Sequence, residues 1–203
     1  MAGLTSVGVA TASLTSCGGS AHRPGATSAT VPPGLTVTSV DLAHVPATID
    51  IAYVQKVMDA LDHVLGDAIR VFVANKGPNQ QFIDLLSAVY AGPQYDHEVA
   101  NYGRLAAEWQ SGSTSPIREN PGDPVTRVES LVDSSRTCVV ALVDRSFAAV
   151  FSSPPTPGTT SAVIQLAPLK HERDRGQHNA TAWELTGDGV RSQTSVPDQP
   201  CHA

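Results

Sequence analysis

Apolar residues recur at helical spacing in three consecutive segments between residues 50 and 110. In the first segment, 50–75, they follow at intervals of three and four along one helix face: Val54, Met58, Leu61, Leu65, Ala68 and Phe72. The opposite face of this segment is polar and carries Gln55, Asp59, Asp62 and Arg70. The same spacing predicts a second helix over 79–90 and a third over 94–110. The pairs Gly77-Pro78 and Gly92-Pro93 are typical helix stops.

After residue 124 the apolar spacing changes from helical to alternating. The alternation predicts strands over 125–132 and 137–151, joined by a turn at 133–136, and a second hairpin over 161–170 and 178–186. Segment 138–143 is apolar on both faces, so we expect it to be a central strand. Helices followed by strands predict an α+β domain: three N-terminal helices packed on a curved, mostly antiparallel four-stranded sheet.

The N-terminal segment predicts a cellular address. The tetrapeptide Leu14-Thr15-Ser16-Cys17 ends a charge-free stretch and is followed by Gly18-Gly19-Ser20. It resembles the lipobox of bacterial lipoproteins, which implies acylation of the Cys17 sulfur and removal of residues 1–16 as a signal peptide. The stretch has the length of a signal-peptide apolar region and is too short to span a bilayer. Because signal peptides begin with Lys or Arg and residues 1–16 carry no charge, we expect a basic segment upstream.

The predicted organisation follows from this assignment. Residues 17–47 are rich in Pro, Ser, Thr, Gly and Ala and predict a lipid-anchored flexible tether. An α+β domain is expected over 48–187 and a polar C-terminal tail over 188–203. The protein is then extracytoplasmic and held at the cell membrane by lipid. The alternative is a cytoplasmic protein with an incidental Cys17.

Composition excludes some partners. The net charge is −6 and no cluster of Lys and Arg stands out, so we expect no nucleic-acid binding. A hydrophobic content of 41% is sufficient for a packed core. The expected partners are the membrane, through the lipid at Cys17, and another protein of the envelope.

Two cysteines remain beside Cys17. An even pair in an oxidising compartment favours a disulfide between Cys138 and Cys201, which would fasten the C-terminal tail to the sheet. The alternative is two free thiols, one buried in a strand and one in the tail.

The order of elements also carries a resemblance. A long helix over 50–75, two helices to residue 110 and strand pairs over 125–151 and 161–186 resemble the NTF2-like (cystatin-like cone) superfamily. The last strand pair ends in Ala182-Trp183-Glu184-Leu185. The resemblance implies a pocket between the sheet and the first helix. Some members of the superfamily are isomerases, cyclases or dehydratases, and many have no catalytic activity. A generic α+β sandwich is the other architecture compatible with this order.

An NTF2-like enzyme, of the polyketide-cyclase (SnoaL) or ketosteroid-isomerase type, implies an acid–base group inside the cone. The candidates are Asp144, at the end of the central strand, and His171 and His178, at the ends of the last hairpin. Each of the three also lies where a solvated polar residue is expected.

No metal site or cofactor is expected. The residues His171, Glu172, Asp174 and His178 follow no zinc spacing and alternate with arginines, whose charge opposes a cation. The chain has no phosphate-binding glycine motif and no nucleophile elbow. We therefore expect a non-enzymatic binding or assembly module in the cell envelope. The alternative is an NTF2-like enzyme acting on a small apolar substrate.

Overall fold

The computed structural model describes residues 41–153, 159–169, 178–191 and 201. It contains helices α1 (Ile51–Asn75), α2 (Gln80–Val89) and α3 (Gly92–Gln110), and strands β1 (Val125–Ser135), β2 (Cys138–Ser146), β3 (Thr159–Pro168) and β4 (Trp183–Val190). The α+β prediction is confirmed, since the three helices pack with one antiparallel sheet in the order β1-β2-β3-β4. The sheet is open, because β1 and β4 do not pair within the described residues. Cys17, the signal peptide and the tether up to residue 40 lie outside them.

Side-chain caps fix the starts of the first two helices. Asp50 accepts a hydrogen bond from the Tyr53 amide at 2.7 Å and begins α1. Asn79 accepts one from the Phe82 amide at 2.8 Å and begins α2. The last turn of α1 ends at Lys76, which adopts a left-handed conformation with φ of 53°.

The strand boundaries differ from the prediction at several ends. Two register shifts in β1 carry this strand to Ser135 and move the turn from 133–136 to 136–137. Strand β2 ends at Ser146 rather than at 151, because the chain then turns and the Val150 amide donates to the Phe147 carbonyl at 2.9 Å. Strand β4 starts at 183 rather than 178 and runs three residues past the predicted end of the domain at 187.

The end of the predicted tether belongs to the domain. Leu42 and Val45 are partly buried against the core. The Ala182 amide donates to the Leu42 carbonyl at 2.7 Å, and the Tyr53 hydroxyl donates to the His44 carbonyl at 3.2 Å. The domain therefore includes the described residues from Asp41 onwards.

The main core lies between the helices and one face of the sheet. Its largest fully buried side chains include Trp183, Phe72, Phe82, Met58 and Leu61. The described residues contain no helix that is both long and apolar enough to cross a membrane.

A smaller apolar cluster lies on the opposite face of the sheet. Cys138, Val140 and Val163 form it, with Leu142 and Cys201 packed against them. Cys138 and Cys201 are joined as a disulfide with their Cα atoms 5.3 Å apart, the pairing that the sequence predicts. The Cys201 amide also donates to the Asp133 carboxylate at 2.9 Å. The C-terminal residue of this pair is thereby fixed to the central strand.

Candidate functional site

A buried arginine lies at the end of the central strand. Side chains of β2 alternate between the two faces of the sheet, and Val139, Ala141 and Val143 point towards the helices. The next position on that face is Arg145, whose side chain is only 3% exposed. Alternation in β2 thus carries a guanidinium into the space between helices and sheet.

The guanidinium is held by groups from three directions. Its Nε donates to the Thr126 hydroxyl of β1 at 3.1 Å, and its Nη2 donates to the Asp62 carboxylate of α1 at 3.2 Å. Its Nη1 donates to the carboxylate of Asp188 in β4. Tyr90, at the end of α2, is a further interaction partner. We call Asp62, Tyr90, Thr126, Arg145 and Asp188 the Arg145 cluster.

Burial and charge act against each other within this cluster. Burial raises the pKa of Asp62, although the neighbouring Arg145 opposes the shift. Burial alone would lower the pKa of Arg145, but Tyr90, Asp188 and Asp62 together hold it above its ordinary value. Arg145 therefore stays charged and is neutralised by carboxylates.

One acceptor atom of the cluster has no hydrogen-bond donor among the described residues. Thr126 donates to Asp62 Oδ1 at 3.1 Å, so this oxygen receives bonds from both Thr126 and Arg145. The second oxygen, Oδ2, is buried and has no hydrogen-bond partner among the described residues. A buried acceptor without a donor destabilises the fold by about 1–3 kcal/mol. A hydrogen bond to Asp62 Oδ2 from a donor outside the described residues would therefore be favourable.

A cavity of about 240 Å³ adjoins the cluster, and we call it the Arg145 cavity. Charged and aromatic polar side chains and apolar side chains share its wall: Leu65, Tyr90, Glu98, Tyr102, Arg145, Phe147, Thr160, Ala162, Asp188 and Val190. The Phe147 ring centroid lies 5.3 Å from Arg145 Cζ, a cation–π distance. The wall contains residues of α1, α3, β2, β3 and β4, together with Tyr90, which follows α2, and Phe147, which follows β2.

Glu98 of α3 is the carboxyl group of the wall that does not bond to Arg145. Its Oε1 accepts a hydrogen bond from Gln94 Nε2 at 2.9 Å, one helical turn away. Burial raises the pKa of Glu98, and the negative charge of Asp188 raises it further. A cation placed near these two carboxylates would reverse the second effect.

A second depression shares Glu98, Tyr102 and Phe147 with the Arg145 cavity and adjoins it. Its volume is about 410 Å³, and most of its remaining wall is apolar: Leu105, Ile117, Val150 and Phe151, with Asn101 and Arg104. We call it the Leu105 groove. Two loops build its far side, since the Arg118 amide donates to the Val150 carbonyl at 2.8 Å. The two spaces therefore adjoin at three shared side chains, with charged groups in the wall of the first and a mainly apolar wall in the second.

A third depression, of about 800 Å³, lies beside the ends of α1 and α3 and the 114–121 loop. Its positive charge comes from Arg70 and Lys76. Arg70 is already bonded to Asp67 and Asp123 at 2.7 Å each, and the Asp123 carboxylate also contacts His63 at 2.9 Å. These exposed ion pairs fasten the loop to α1.

The predicted catalytic candidates do not converge on the Arg145 cavity. Asp144 precedes Arg145, so its side chain points to the opposite face of the sheet, where it accepts a hydrogen bond from the Ser161 hydroxyl at 2.7 Å. His178 is exposed beside the start of β4. His171 lies outside the described residues, as does Cys17.

The sequence interpretation missed Arg145, Asp62 and Glu98. In the sequence, Asp144-Arg145 at the end of an apolar strand is typical of a solvated charge pair, and Asp62 lies on the face of the first helix that is predicted to be polar. In the structure Asp62 is 4% exposed, because α1 also packs against β1 and its buried face is wider than one stripe. The alternation of Val139, Ala141 and Val143 extended by one step is the signal that points to Arg145.

Comparisons of this chain with protein-family models, with curated proteins and with solved structures found no match. Within the described residues, no group of three or more His, Cys, Asp and Glu side chains could hold a metal ion. The candidate site is therefore described by its own chemistry: a buried guanidinium neutralised by carboxylates, a further carboxyl at the wall, and an adjoining apolar groove.

Proposed function

We propose that this protein is a lipid-anchored cell-envelope protein whose α+β domain is a non-enzymatic module that binds a small, partly apolar ligand. The lipobox-like residues Leu14 to Cys17 support the anchor. The observation that carries the binding role is the pair of adjoining spaces, the Arg145 cavity and the Leu105 groove. The groove, at about 410 Å³, falls in the range of small-molecule sites, about 300–1,000 Å³, which are mostly apolar with a few polar groups, and the cavity adds about 240 Å³ beside it.

The hydrogen bonds and ion pairs that Arg145 and Asp188 already make favour binding over catalysis. Arg145 donates to Thr126, Asp62 and Asp188, so most of its N–H groups already have acceptors and few remain to stabilise a charge that develops on a substrate. The Asp188 carboxylate is likewise held by the guanidinium. A rigid, preformed polar end with an apolar extension suits recognition of a ligand without conversion.

The anchor is tested by metabolic labelling with an alkyne fatty acid in bacteria that express the gene. We expect label on the wild-type protein in the membrane fraction and its loss in Cys17→Ser. The matched control is Cys201→Ser, which removes a different cysteine and should retain the label. Unlabelled wild-type protein in the cytosolic fraction would contradict the proposed address.

A second candidate function is acid–base catalysis, which the NTF2-like resemblance implies and the raised pKa of Glu98 favours. A partly buried carboxyl with a raised pKa, between a charged cavity and a mainly apolar groove, is suited to proton transfer at the carbon beside a carbonyl group. Proton NMR can follow exchange of the α-hydrogens of a simple cyclic ketone in D2O. Exchange that the wild type accelerates and Glu98→Gln does not would establish this function, whereas exchange at the buffer rate supports the binding module.

A further inference from the structure

The Arg145 cavity carries an excess of negative charge. Arg145 contributes one positive charge to the wall, whereas Glu98 and Asp188 contribute two negative charges when ionised, and Asp62, which does not line the cavity, bonds to the same guanidinium. The guanidinium is bonded to the two aspartates, so it neutralises part of this charge and is not free to receive an anion. An incoming ligand therefore meets a carboxyl-rich end of the pocket in spite of the arginine there.

The hydrogen-bonding balance points the same way. Glu98 lines the cavity and accepts a hydrogen bond from Gln94 at Oε1, and Asp62 Oδ2, beside Arg145, is buried without a donor among the described residues. The hydrogen-bonding positions that remain unused at this end are therefore mainly those of carboxylate oxygens, which accept. A ligand group that brings donors and positive charge satisfies both the hydrogen bonds and the charge, whereas a carboxylate or phosphate satisfies neither.

The adjoining walls define the rest of the ligand. Phe147 and Tyr102 line both spaces, so the charged end and the Leu105 groove meet at these two side chains. Beyond them the groove is lined by Leu105, Val150 and Phe151. An alkyl or aryl body fits this wall.

We propose that the pocket binds a primary ammonium compound with an apolar body, its ammonium group between Glu98 and Asp188 and its body in the Leu105 groove. This inference rests on the proposed binding function and names the chemical class of its ligand. An ammonium has three donors and one positive charge, which match the acceptors and the charge excess of the cavity. The aromatic faces of Phe147 and Tyr102 add a favourable contact for a cation.

The experiment compares three probes of equal chain length on the purified full chain: hexylammonium, hexanol and hexanoate, by NMR titration at low salt. We expect hexylammonium to bind about tenfold tighter than hexanol, since a desolvated charged hydrogen bond corresponds to about that ratio. Hexanoate should bind weakest. Tighter binding of hexanoate, equal binding of the three probes, or no binding of any of them would overturn the inference.

Variants on one helix locate the ammonium group. Glu98→Gln keeps the side-chain shape and should weaken hexylammonium about tenfold while changing hexanol by less than about threefold. The matched control is Asp96→Asn on the same helix, whose carboxylate is exposed and lines neither of the two spaces. It should change neither affinity. Equal losses in the two variants would show that the preference reflects surface charge and would overturn the inference.

A second measurement separates binding in the cavity from loss of fold. Carbon NMR of the Glu98 carboxyl should show its pKa falling when hexylammonium saturates the protein, because a neighbouring cation favours the ionised form. An unchanged Glu98 pKa at saturation places the amine elsewhere and rejects the site. Neither measurement depends on the lipid: lost labelling with retained amine binding removes only the address, and retained labelling without amine binding removes only the ligand.

Discussion

Among the described residues of this domain, two buried polar networks differ in charge and in completeness. The first joins Tyr53, Asn179, Thr181 and Trp183 through neutral groups. The second is the Arg145 cluster, which contains a cation and carboxylates and has an acceptor left over. The neutral network behaves as a structural joint, whereas the ionic one adjoins a cavity. A buried polar network alone therefore does not indicate a functional site. Charge and an unsatisfied hydrogen-bond acceptor next to a cavity do indicate one.

The neutral network holds the entrance of β4 against two other segments. Asn179 Nδ2 donates to the Ala88 carbonyl at 2.6 Å and to the Trp183 carbonyl at 2.8 Å, and its Oδ1 accepts from the Thr181 amide at 2.8 Å. Trp183 Nε1 donates to the Tyr53 hydroxyl at 2.9 Å. Each of these bonds joins neutral groups, so their strength should not depend on pH.

The largest contrast is expected from Arg145→Gln. This change leaves the buried Asp62 and the partly buried Asp188 without their cation, and loss of one partner of a buried ion pair costs about 3–5 kcal/mol. Urea denaturation should show this loss in the free energy of unfolding. The matched control is Arg127→Gln, at an exposed position of β1, which should change it by less than about 0.5 kcal/mol. Similar losses in both variants would show that the Arg145 cluster is not a buried ion-pair network.

The helices and strands that carry the two networks could be predicted from the sequence better than the networks themselves. The helices could be predicted because apolar spacing and the Gly77-Pro78 stop act locally, but the predicted stop Gly92-Pro93 instead forms the start of α3. The central position of β2 follows from apolar residues on both faces. The Arg145 cluster could not, since its members come from α1, α2 and three strands and are up to 126 positions apart in numbering, as from Asp62 to Asp188. Only contacts between elements distinguish Asp62, which is buried, from Asp59, which is exposed.

The same limit explains the incorrect strand ends. The predicted turn at 133–136 contains residues with high turn propensity, yet pairing of Ser135 with Cys138 keeps 133–135 in β1. Residues 187–190 read as a polar tail because Gly187 and Asp188 are unusual in a strand, but they pair with β3 from Gln165 to Ala162. Tertiary pairing overrides local preference at both ends, and the second override is the one that places Asp188 beside Arg145.

An intermediate effect is expected from Asn179→Ala, which tests the neutral network. The change leaves the buried Ala88 carbonyl and the Thr181 amide without their partner, and each unsatisfied group costs about 1–3 kcal/mol when it stays dry. Urea denaturation should show a loss in this range that is the same at pH 5 and pH 8. Asn120→Ala, at an exposed loop position, is the control and should be nearly neutral. A loss that changes strongly with pH would mean that the network is coupled to an ionisable group.

The smallest effect is expected from Asp62→Asn, and its pH dependence has a definite sign. Burial raises the pKa of Asp62 in the folded state above its unfolded value near 3.9. The protonated carboxyl therefore stabilises the folded state fully below about pH 3.9, and this stabilisation is lost as the pH rises through the folded pKa. Asn imitates the protonated form, so the destabilisation by Asp62→Asn, about 1 kcal/mol at acid pH, should shrink towards pH 7. Asp59→Asn, on the exposed side of α1, should show no such trend in urea denaturation between pH 4 and pH 7. A destabilisation by Asp62→Asn that grows towards pH 7 would mean instead that the charge attraction of Arg145 outweighs burial, and that the Arg145 cluster needs both of its aspartates ionised.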